Sequence, residues 1–239
     1  MISIVIPTFK GAGILSKQLP EFIQFLNASE IVAEIVVVDD GSDDNGQTGT
    51  VAKELQCKFI QLVKNTGKGA AVREGIKHCS GEICFFTDVD IPFQFDAFLH
   101  FIQSLKEGNN DIVVGDRTLP GSSYYTKIGV TRKLGSDLFS KIVSKLFTDG
   151  LHDTQCGMKA FKQSVAMDLF SVARINGFAF DVELISIAVK RAYKIDRLPV
   201  QFRCNDSKTV QVIRHGLGML KDIIRVAMFH KLGYYHKKE

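Results

Sequence analysis

Residues 34–44 read EIVVVDDGSDD, in which an apolar, β-branched run ends in two aspartates, a glycine and a serine. A short apolar run bounded by turn formers is typical of a strand buried on both faces of a parallel sheet. The chain begins with a similar run over residues 2–6, which Pro7 ends. Between the two runs, residues 15–27 have helical periodicity, with Pro20 in the first turn or at a kink. The first 44 residues therefore predict a strand, a helix and a second strand.

The same alternation continues to residue 115 and then weakens. Strands that alternate with helices predict an α/β fold with a mostly parallel, doubly wound sheet flanked by helices. Further strands are predicted at residues 58–63, 82–87, 111–115, 158–161 and 194–199. Further helices are predicted at residues 69–79, 95–106, 131–147, 163–170, 182–192 and 210–232.

The composition is that of an ordinary globular chain, with 45% hydrophobic and 23% charged residues among 239. We expect one domain over residues 1–205 and a basic amphipathic helix over residues 206–239. No apolar run approaches the ~18 residues of a membrane span, and the first residues lack the basic start of a signal peptide. The five cysteines form no CxxC pair, so we expect neither zinc nor a disulfide framework, and reduced thiols predict a cytoplasmic protein.

Positive charge is concentrated near the C-terminal end. The net charge is +4, and residues 208–239 alone contain seven lysines or arginines and two acidic residues. The rest of the chain has no arginine-rich stripe and no nucleic-acid-binding module, so no nucleic-acid partner is expected. The predicted helix there has one apolar face with cations beside it, so it either lies on an anionic membrane surface or packs on the core. The apolar positions are Val210, Ile213, Leu217, Leu220, Ile224 and Ala227, and the cations are Arg214, Lys221 and Arg225.

Polar segments follow four of the predicted strands. Because ligands of doubly wound sheets bind beyond the carboxyl ends of the strands, these segments are expected to meet at one site. That expected convergence is the main argument for a functional site, since each segment alone is also explained by an ordinary turn. The four segments are Pro7-Thr8, Asp39-Asp40, Asp88-Val89-Asp90 and Gly115-Asp116-Arg117.

The pair Asp88 and Asp90 follows a buried strand and could hold a hard divalent cation such as Mg²⁺, which takes one or two carboxylates and leaves room for substrate phosphates. A DxD pair alone is more often an acidic turn, but together with the other three segments it favours a metal site. Asp40 could accept hydrogen bonds from a nucleobase or a ribose, or it could close an Asx turn. Lys68 lies at a helix start without the P-loop spacing and could meet a phosphate there. The polar loop at residues 153–157 could line the same site.

Together these segments resemble family 2 glycosyltransferases, which have the glycosyltransferase-A fold. The resemblance runs from Ile2 to about Lys208, and within the family it is closest to the polyprenyl-phosphate sugar transferases, such as dolichyl-phosphate glucosyltransferase and mannose synthase. The matching blocks are IVIPTF (4–9), VVVDDGSDD (36–44), NTGKGAAVREG (65–75), FTDVD (86–90), VGDR (114–117), DTQCGMKAF (153–161), FDVELI (180–185) and NDSKT (205–209).

The resemblance implies a site for a nucleotide-sugar donor and a Mg²⁺ or Mn²⁺ ion. It also implies a second group of residues around the transferred sugar and the phosphate of a polyprenyl acceptor. On the donor side it places Pro7, Phe9 and Asp40 at the nucleoside, Lys68 at the diphosphate, and Asp88 and Asp90 at the donor and metal. On the other side it places Arg117, Arg132 and Lys208 at phosphate, and Asp153, Gln155 and Glu183 around the sugar and acceptor.

The expected reaction is the inverting transfer of a single hexose, of the UDP-glucose or GDP-mannose type, at a membrane surface on its cytoplasmic face. A lipid phosphate is largely ionised near neutral pH and needs no strong base, whereas a sugar hydroxyl would need one, with Asp153 or Glu183 as the candidate. Two departures leave alternatives open. Lys10-Gly11 replace the usual Asn-Glu, and Pro92 replaces a polar metal ligand. These departures favour a non-catalytic nucleotide-sugar-binding subunit as one alternative, and a soluble transferase acting on a saccharide hydroxyl is the other.

Overall fold

The sheet has seven strands in the spatial order β3-β2-β1-β4-β6-β5-β7. The structure is a computed structural model that describes residues 1–123, 143–203 and 212–236. In the last of these ranges, the side chains are described from residue 218 onward. The strands are β1 (Ile2–Thr8), β2 (Ala33–Asp39), β3 (Lys58–Gln61), β4 (Ile83–Phe86), β5 (Ile112–Gly115), β6 (Lys159–Lys162) and β7 (Ile195–Leu198).

Most of the strand pairs are parallel, which confirms the predicted fold class. β1 pairs in parallel with both β2 and β4, β2 with β3, and β5 with β7. The exception is β6, which lies antiparallel between β4 and β5. The chain therefore reaches β6 from the carboxyl edge of the sheet, so residues just before β6 lie at the same edge as the ends of β1, β2, β4 and β5.

Helices cover both faces of the sheet. For the helices that were predicted and are described, the ends agree with the prediction to within two residues. The exception is the start of α1, which lies three residues earlier than predicted. Residues 124–142, which include most of the predicted helix 131–147, lie outside the described residues. The helices are α1 (Ala12–Ala28), α2 (Gln47–Glu54), α3 (Lys68–Lys77), α4 (Asp96–Glu107), α5 (Gln163–Val172), α6 (Phe180–Lys190) and α7 (Val212–Lys231).

Helix α2 was not predicted, because its sequence is polar and lacks a clear apolar period. Its start is determined by local polar contacts instead. Gly46 adopts a left-handed φ of 76° before the first turn. The Asp44 carboxylate accepts hydrogen bonds from the backbone amides of Gly46 and Thr48, at 3.1 and 3.0 Å, and from the Thr48 hydroxyl at 2.5 Å. These bonds satisfy amide groups that the first helical turn leaves free.

Alternate residues of the central strands enter two separate hydrophobic clusters. In β2, Val36 and Val38 pack with helices α3, α5 and α6, whereas Ile35 and Val37 pack with α1 and the Ala52 side of α2. This two-residue period explains why the strand sequence is apolar at every position, since both faces are covered. The result is a three-layer arrangement, with the sheet between two layers of helices.

Helix α7 packs on the first of these clusters through Ile223 and Val226, which are buried. The predicted apolar face is a different one: Leu220, Ile224 and Ala227 are exposed. The alternative that this face packs on the core is therefore wrong for these three residues. The other three predicted positions, Val210, Ile213 and Leu217, lie outside the described side chains. In the described part of the chain, no helix has the length and apolar character to cross a membrane.

Candidate active site

The carboxyl ends of β1, β2 and β4 bring three of the predicted segments to one edge. Thr8 pairs with Asp39 at the last position of the β1–β2 register. Just beyond it, the amide of Asp40 donates to the carbonyl of Thr8 at 2.8 Å. On the other side, the amide of Thr87 donates to the carbonyl of Val5 at 3.1 Å, which directs Asp88 toward the same edge. The predicted convergence of these segments is therefore seen in the structure.

Asp40 holds the loop that precedes α3. Its two carboxylate oxygens accept hydrogen bonds from the amides of Thr66 and Gly67, at 2.7 and 2.8 Å. Gly67 has a φ of 114°, and a Cβ at this position would lie 2.4 Å from the carbonyl oxygen of Asn176. Only glycine fits both requirements, so the loop turns sharply and α3 starts at Lys68. Asp40 thus positions Lys68, which the sequence analysis did not foresee.

Lys68 forms an ion pair with Asp88, with 2.5 Å between Nζ and Oδ1. Burial acts to lower the pKa of Lys68, but the negative charges of Asp88, Asp181 and Asp90 outweigh it and raise the pKa. Lys68 is therefore positively charged at neutral pH. Burial, followed by repulsion from Asp88, raises the pKa of Asp90 to about 6. Two carboxylates and one lysine thus share a confined region at the end of β4.

The polar loop at residues 153–157 lies directly against this pair of aspartates. A Cβ added to Gly157 would come within 2.0 Å of Oδ2 of Asp88. A larger residue here would push the Asp88 carboxylate aside, so glycine allows the close approach of the loop to it. This contact joins the DxD segment and the DTQCG segment into one site, although Asp88 and Gly157 lie 69 positions apart in the chain.

The chemistry of Asp88 and Asp90 fits a hard divalent cation. Two neighbouring carboxylates supply the one or two oxygen ligands that Mg²⁺ takes when substrate phosphates and water supply the others. Within residues 1–123, 143–203 and 212–236, no three His, Cys, Asp or Glu side chains form a closed metal site.

Arg117 and Asp153 form a bidentate pair at the end of β5. The Nε and Nη2 atoms of Arg117 donate to the two Asp153 oxygens at 2.8 Å each, and the Arg117 amide donates to Oδ2 at 2.8 Å. Burial acts to raise the pKa of Asp153, but the hydrogen bonds and charge of Arg117 outweigh it and lower the pKa. A carboxylate with a low pKa and this many bonds is a weak base.

Glu183 occupies a different position from the one expected. Its side chain is fully buried, and its oxygens accept hydrogen bonds from the amides of Arg174 and Ile175, both at 2.8 Å, and from the Tyr235 hydroxyl at 2.6 Å. Burial raises its pKa. The expectation that Glu183 lies around the transferred sugar is therefore corrected. It fixes the loop that leads to Asn176, whose carbonyl accepts a bond from the Gly69 amide at 2.7 Å.

The remaining predicted residues divide into three groups. Pro7 is buried at the end of β1, whereas Phe9 beside it is exposed and has the Lys10 ammonium 5.7 Å from its ring centre. Gln155 contacts α7, with 3.9 Å between its Nε2 and the sulfur of Met219. Two predicted phosphate-binding residues, Arg132 and Lys208, lie outside the described residues.

A buried ion pair next to the site escaped the sequence analysis. Lys159 on β6 and Asp181 on α6 lie 2.6 Å apart and are both buried. The Lys159 ammonium also donates to the carbonyl of Cys156 at 2.8 Å, within the polar loop. The only signal in the sequence was a lysine inside an apolar strand, where a charge needs a partner.

A mostly parallel sheet that presents a DxD pair, a lysine and an Arg–Asp pair at its carboxyl edge is the arrangement expected of a nucleotide-sugar transferase. Residues 3–170 match the family model for glycosyl transferase family 2. The chain therefore belongs to glycosyl transferase family 2, and it has glycosyltransferase activity and the glycosyltransferase-A fold.

Curated relatives and solved structures agree with this assignment. The chain is 31% identical to dolichyl-phosphate β-glucosyltransferase ALG5C of Trichomonas vaginalis, over 98% of this chain and 73% of that protein. It is 29% identical to the Dictyostelium discoideum dolichyl-phosphate β-glucosyltransferase, over 99% of this chain and 77% of that protein. Glucosyl-3-phosphoglycerate synthase of Mycobacterium tuberculosis, solved with Mn²⁺, UDP and phosphoglyceric acid, superposes with a TM-score of 0.70 at 17% identity, covering 100% of this chain and 80% of that one.

Proposed function

We propose that the chain transfers one glucose from a nucleoside-diphosphate glucose to a polyprenyl phosphate of the dolichyl type, with inversion at the anomeric carbon. The observation that carries the proposal is the cluster of Lys68, Asp88 and Asp90 against the loop at residues 153–157. The names of the relatives point to glucose and to a lipid phosphate. The related synthase crystallised with UDP points to a uridine nucleotide.

On the donor side, the proposal gives each residue a physical task. Asp88 and Asp90 would hold Mg²⁺ or Mn²⁺, and such an ion, when bound, offsets negative charge on the diphosphate leaving group. Lys68 supplies a further positive charge at the start of α3, where the helix dipole also favours an anion. Phe9 offers an exposed aromatic face to the base, and Asp40 keeps Lys68 in place. These groups are fixed before the reaction starts, which is what electrostatic stabilisation of a leaving group requires.

On the acceptor side, the phosphate oxygen is itself the nucleophile. A phosphate monoester has a second pKa of about 6, so much of it is dianionic at neutral pH. Its oxygen forms the new bond to the anomeric carbon while the bond to the donor diphosphate breaks, and the nucleoside diphosphate leaves with the electron pair. No proton has to be removed in this step. The chain then needs cations that orient the acceptor, and we propose Arg117, Arg132 and Lys208 for that task.

The structure supports a phosphate acceptor over a sugar hydroxyl. A hydroxyl acceptor would need a general base. Of the two candidates, Asp153 has a lowered pKa and accepts three bonds from Arg117, and Glu183 is buried with its oxygens occupied. Neither carboxylate is free to take a proton from a sugar. The acceptor that needs no base is therefore the one that suits this site.

A polyprenyl phosphate is anchored in a bilayer, so the proposal places the enzyme at a membrane surface. The cysteines of the described chain, Cys57, Cys79, Cys84 and Cys156, are free thiols. Free thiols persist in a reducing compartment. We therefore propose the cytoplasmic face of the membrane as the place of action.

The test is a transfer assay with the purified full chain, labelled UDP-glucose or GDP-mannose, Mn²⁺ or Mg²⁺, and either dolichyl phosphate in detergent or an oligosaccharide. We expect glucosyl transfer to dolichyl phosphate that disappears with EDTA and in the Asp90→Asn variant. Asp149→Asn is the matched control, because Asp149 is exposed and its left-handed φ of 47° suits asparagine. Transfer to the oligosaccharide alone would contradict the acceptor. Donor binding in calorimetry without transfer to any acceptor would identify a non-catalytic subunit.

A further inference from the structure

Helix α7 carries a continuous exposed apolar face. Four of its side chains, spaced four residues apart and here called the apolar ridge, are each more than half exposed. The opposite face packs on the core through Ile223 and Val226. The ridge consists of Leu220, Ile224, Met228 and Leu232, with exposed fractions of 54, 55, 54 and 64%.

More exposed apolar surface lies near the C-terminal end of α7. Tyr234 follows the helix and is 48% exposed. The ring of Phe147 lies 6.3 Å from the ring of His230, which places residues 146–147 beside the helix, and Leu146 is largely exposed. Exposed apolar side chains repeated along one helix face mark an interaction surface.

The charges around the ridge select the kind of surface it fits. Lys221, Arg225 and Lys231 are exposed on the same helix. The one acidic residue in the described side chains of α7 is Asp222, and it pairs with Arg225 at 3.1 Å. An apolar helix face bordered by cations complements an anionic lipid surface, in which the apolar side chains enter the acyl boundary and the cations meet the headgroups.

The same helix touches the active site. Met219, one residue before the ridge begins, contacts Gln155 in the polar loop at 3.9 Å. Asp222 lies close enough to Gly177 that a Cβ there would come within 2.9 Å of its carboxylate. Gly177 in turn follows Asn176, which accepts the first amide bonds of α3. A bilayer in contact with the ridge would therefore lie next to the loop that carries Asp153.

We infer that the apolar ridge docks the enzyme on an anionic bilayer and presents its active site to lipid headgroups. The docking itself depends only on the ridge and its cations. The delivery of a lipid acceptor depends in addition on the proposed function.

The test is sedimentation of the full chain with vesicles of phosphatidylcholine alone or of phosphatidylcholine with 30% phosphatidylglycerol. We expect binding to the anionic vesicles that weakens at high salt. The Ile224→Gln/Met228→Gln variant should bind them at least about tenfold more weakly, because two apolar side chains no longer enter the bilayer. The matched control is Leu99→Gln/Met167→Gln, which changes two exposed apolar residues on α4 and α5 and should bind like the wild type.

Three results would overturn the docking inference. The first is no binding of the wild type to anionic vesicles, and the second is equal loss in the ridge and control variants. The third is a wild-type dimer in sedimentation velocity that the ridge variant abolishes, since the ridge would then be a contact between two copies. Circular dichroism and a thermal melt of both variants show whether either substitution disturbs the fold.

A separate arm distinguishes this inference from the proposed function. A short, water-soluble polyprenyl phosphate in buffer does not require docking. The ridge variant should glucosylate it at the wild-type kcat, yet lose activity on dolichyl phosphate in vesicles. If the wild type glucosylates neither acceptor, the proposed function fails while the vesicle-binding result stands. If the ridge variant loses both acceptors equally, the ridge acts on the active site itself and the docking inference fails.

Discussion

Replacing Lys159 by methionine tests the buried ion pair behind the active site. The Lys159 ammonium lies between the Asp181 carboxylate, at 2.6 Å, and the carbonyl of Cys156, at 2.8 Å, and it has no solvent exposure. It also lies 5.3 Å from the centre of the Phe86 ring. Methionine fills a similar volume but leaves Asp181 as a buried charge without its nearest cation.

The expected loss of stability is large, because removing one partner of a buried ion pair costs more than replacing both partners. Removing one partner of such a pair destabilises a protein by roughly 3–5 kcal/mol, whereas replacing both with apolar groups is often close to neutral. For a chain of this length, each kcal/mol of lost stability lowers the midpoint of thermal unfolding by about 2–4 °C. We therefore expect a drop of roughly 10 °C for Lys159→Met. The double variant Lys159→Met/Asp181→Leu should recover at least half of it.

The assay is thermal unfolding of the wild type, Lys159→Met, Asp181→Leu and the double variant. Each melt is repeated in the presence of UDP-glucose and Mn²⁺. The polar loop loses the donor that holds the carbonyl of Cys156, so ligand stabilisation should be smaller in the double variant than in the wild type. If Lys159→Met melts within about 2 °C of the wild type, which corresponds to less than 1 kcal/mol, Asp181 does not need this partner. In that case the reasoning about the buried pair is wrong.

Three further substitutions test the contacts that build the site. Gly157→Ala should displace Asp88 and weaken Mn²⁺ binding in calorimetry at least about tenfold. The control Gly13→Ala, where a Cβ meets open space, should leave Mn²⁺ binding unchanged. Asp40→Asn cannot accept both amide bonds of the loop before α3, so it should lower stability by about 1–3 kcal/mol and raise the KM for the donor; an unchanged KM would refute its positioning of Lys68. Glu183→Gln should lower the unfolding midpoint and leave kcat nearly unchanged, because the carboxylate supports a loop. If kcat collapses in a variant that is still folded, Glu183 is the general base after all.

The predictable part of this molecule is the part that follows from local patterns. The run before Asp39 is apolar at every position because both faces of β2 are covered, so strand and sheet type could be predicted. The meeting of Asp40 and Asp88 follows from the parallel order of the strands. Helix α2 could not be predicted, because its start depends on the bonds of Asp44 and not on an apolar period.

Side-chain partners could not be predicted, because they join residues that are far apart in the chain. Arg117 and Asp153 were both expected near phosphate or sugar, and nothing in the local sequence shows that they pair with each other. Glu183 was assigned from a motif, but the motif does not reveal that its carboxylate faces two backbone amides. A family motif therefore identifies a site residue without saying whether it contacts the substrate or supports a loop.

The charges around the site explain why a cation would have to accompany the donor. Lys68 and Lys159 contribute two positive charges, and Asp88, Asp90 and Asp181 contribute three negative ones when all are ionised. A diphosphate that approaches this group meets a net negative charge, and Lys68 is already paired with Asp88. A divalent cation on the two DxD carboxylates would reverse the sign of the site and would free Lys68 for the phosphate. UDP should therefore bind much more weakly after EDTA treatment, and Lys68→Met should weaken UDP binding mainly when the metal is present.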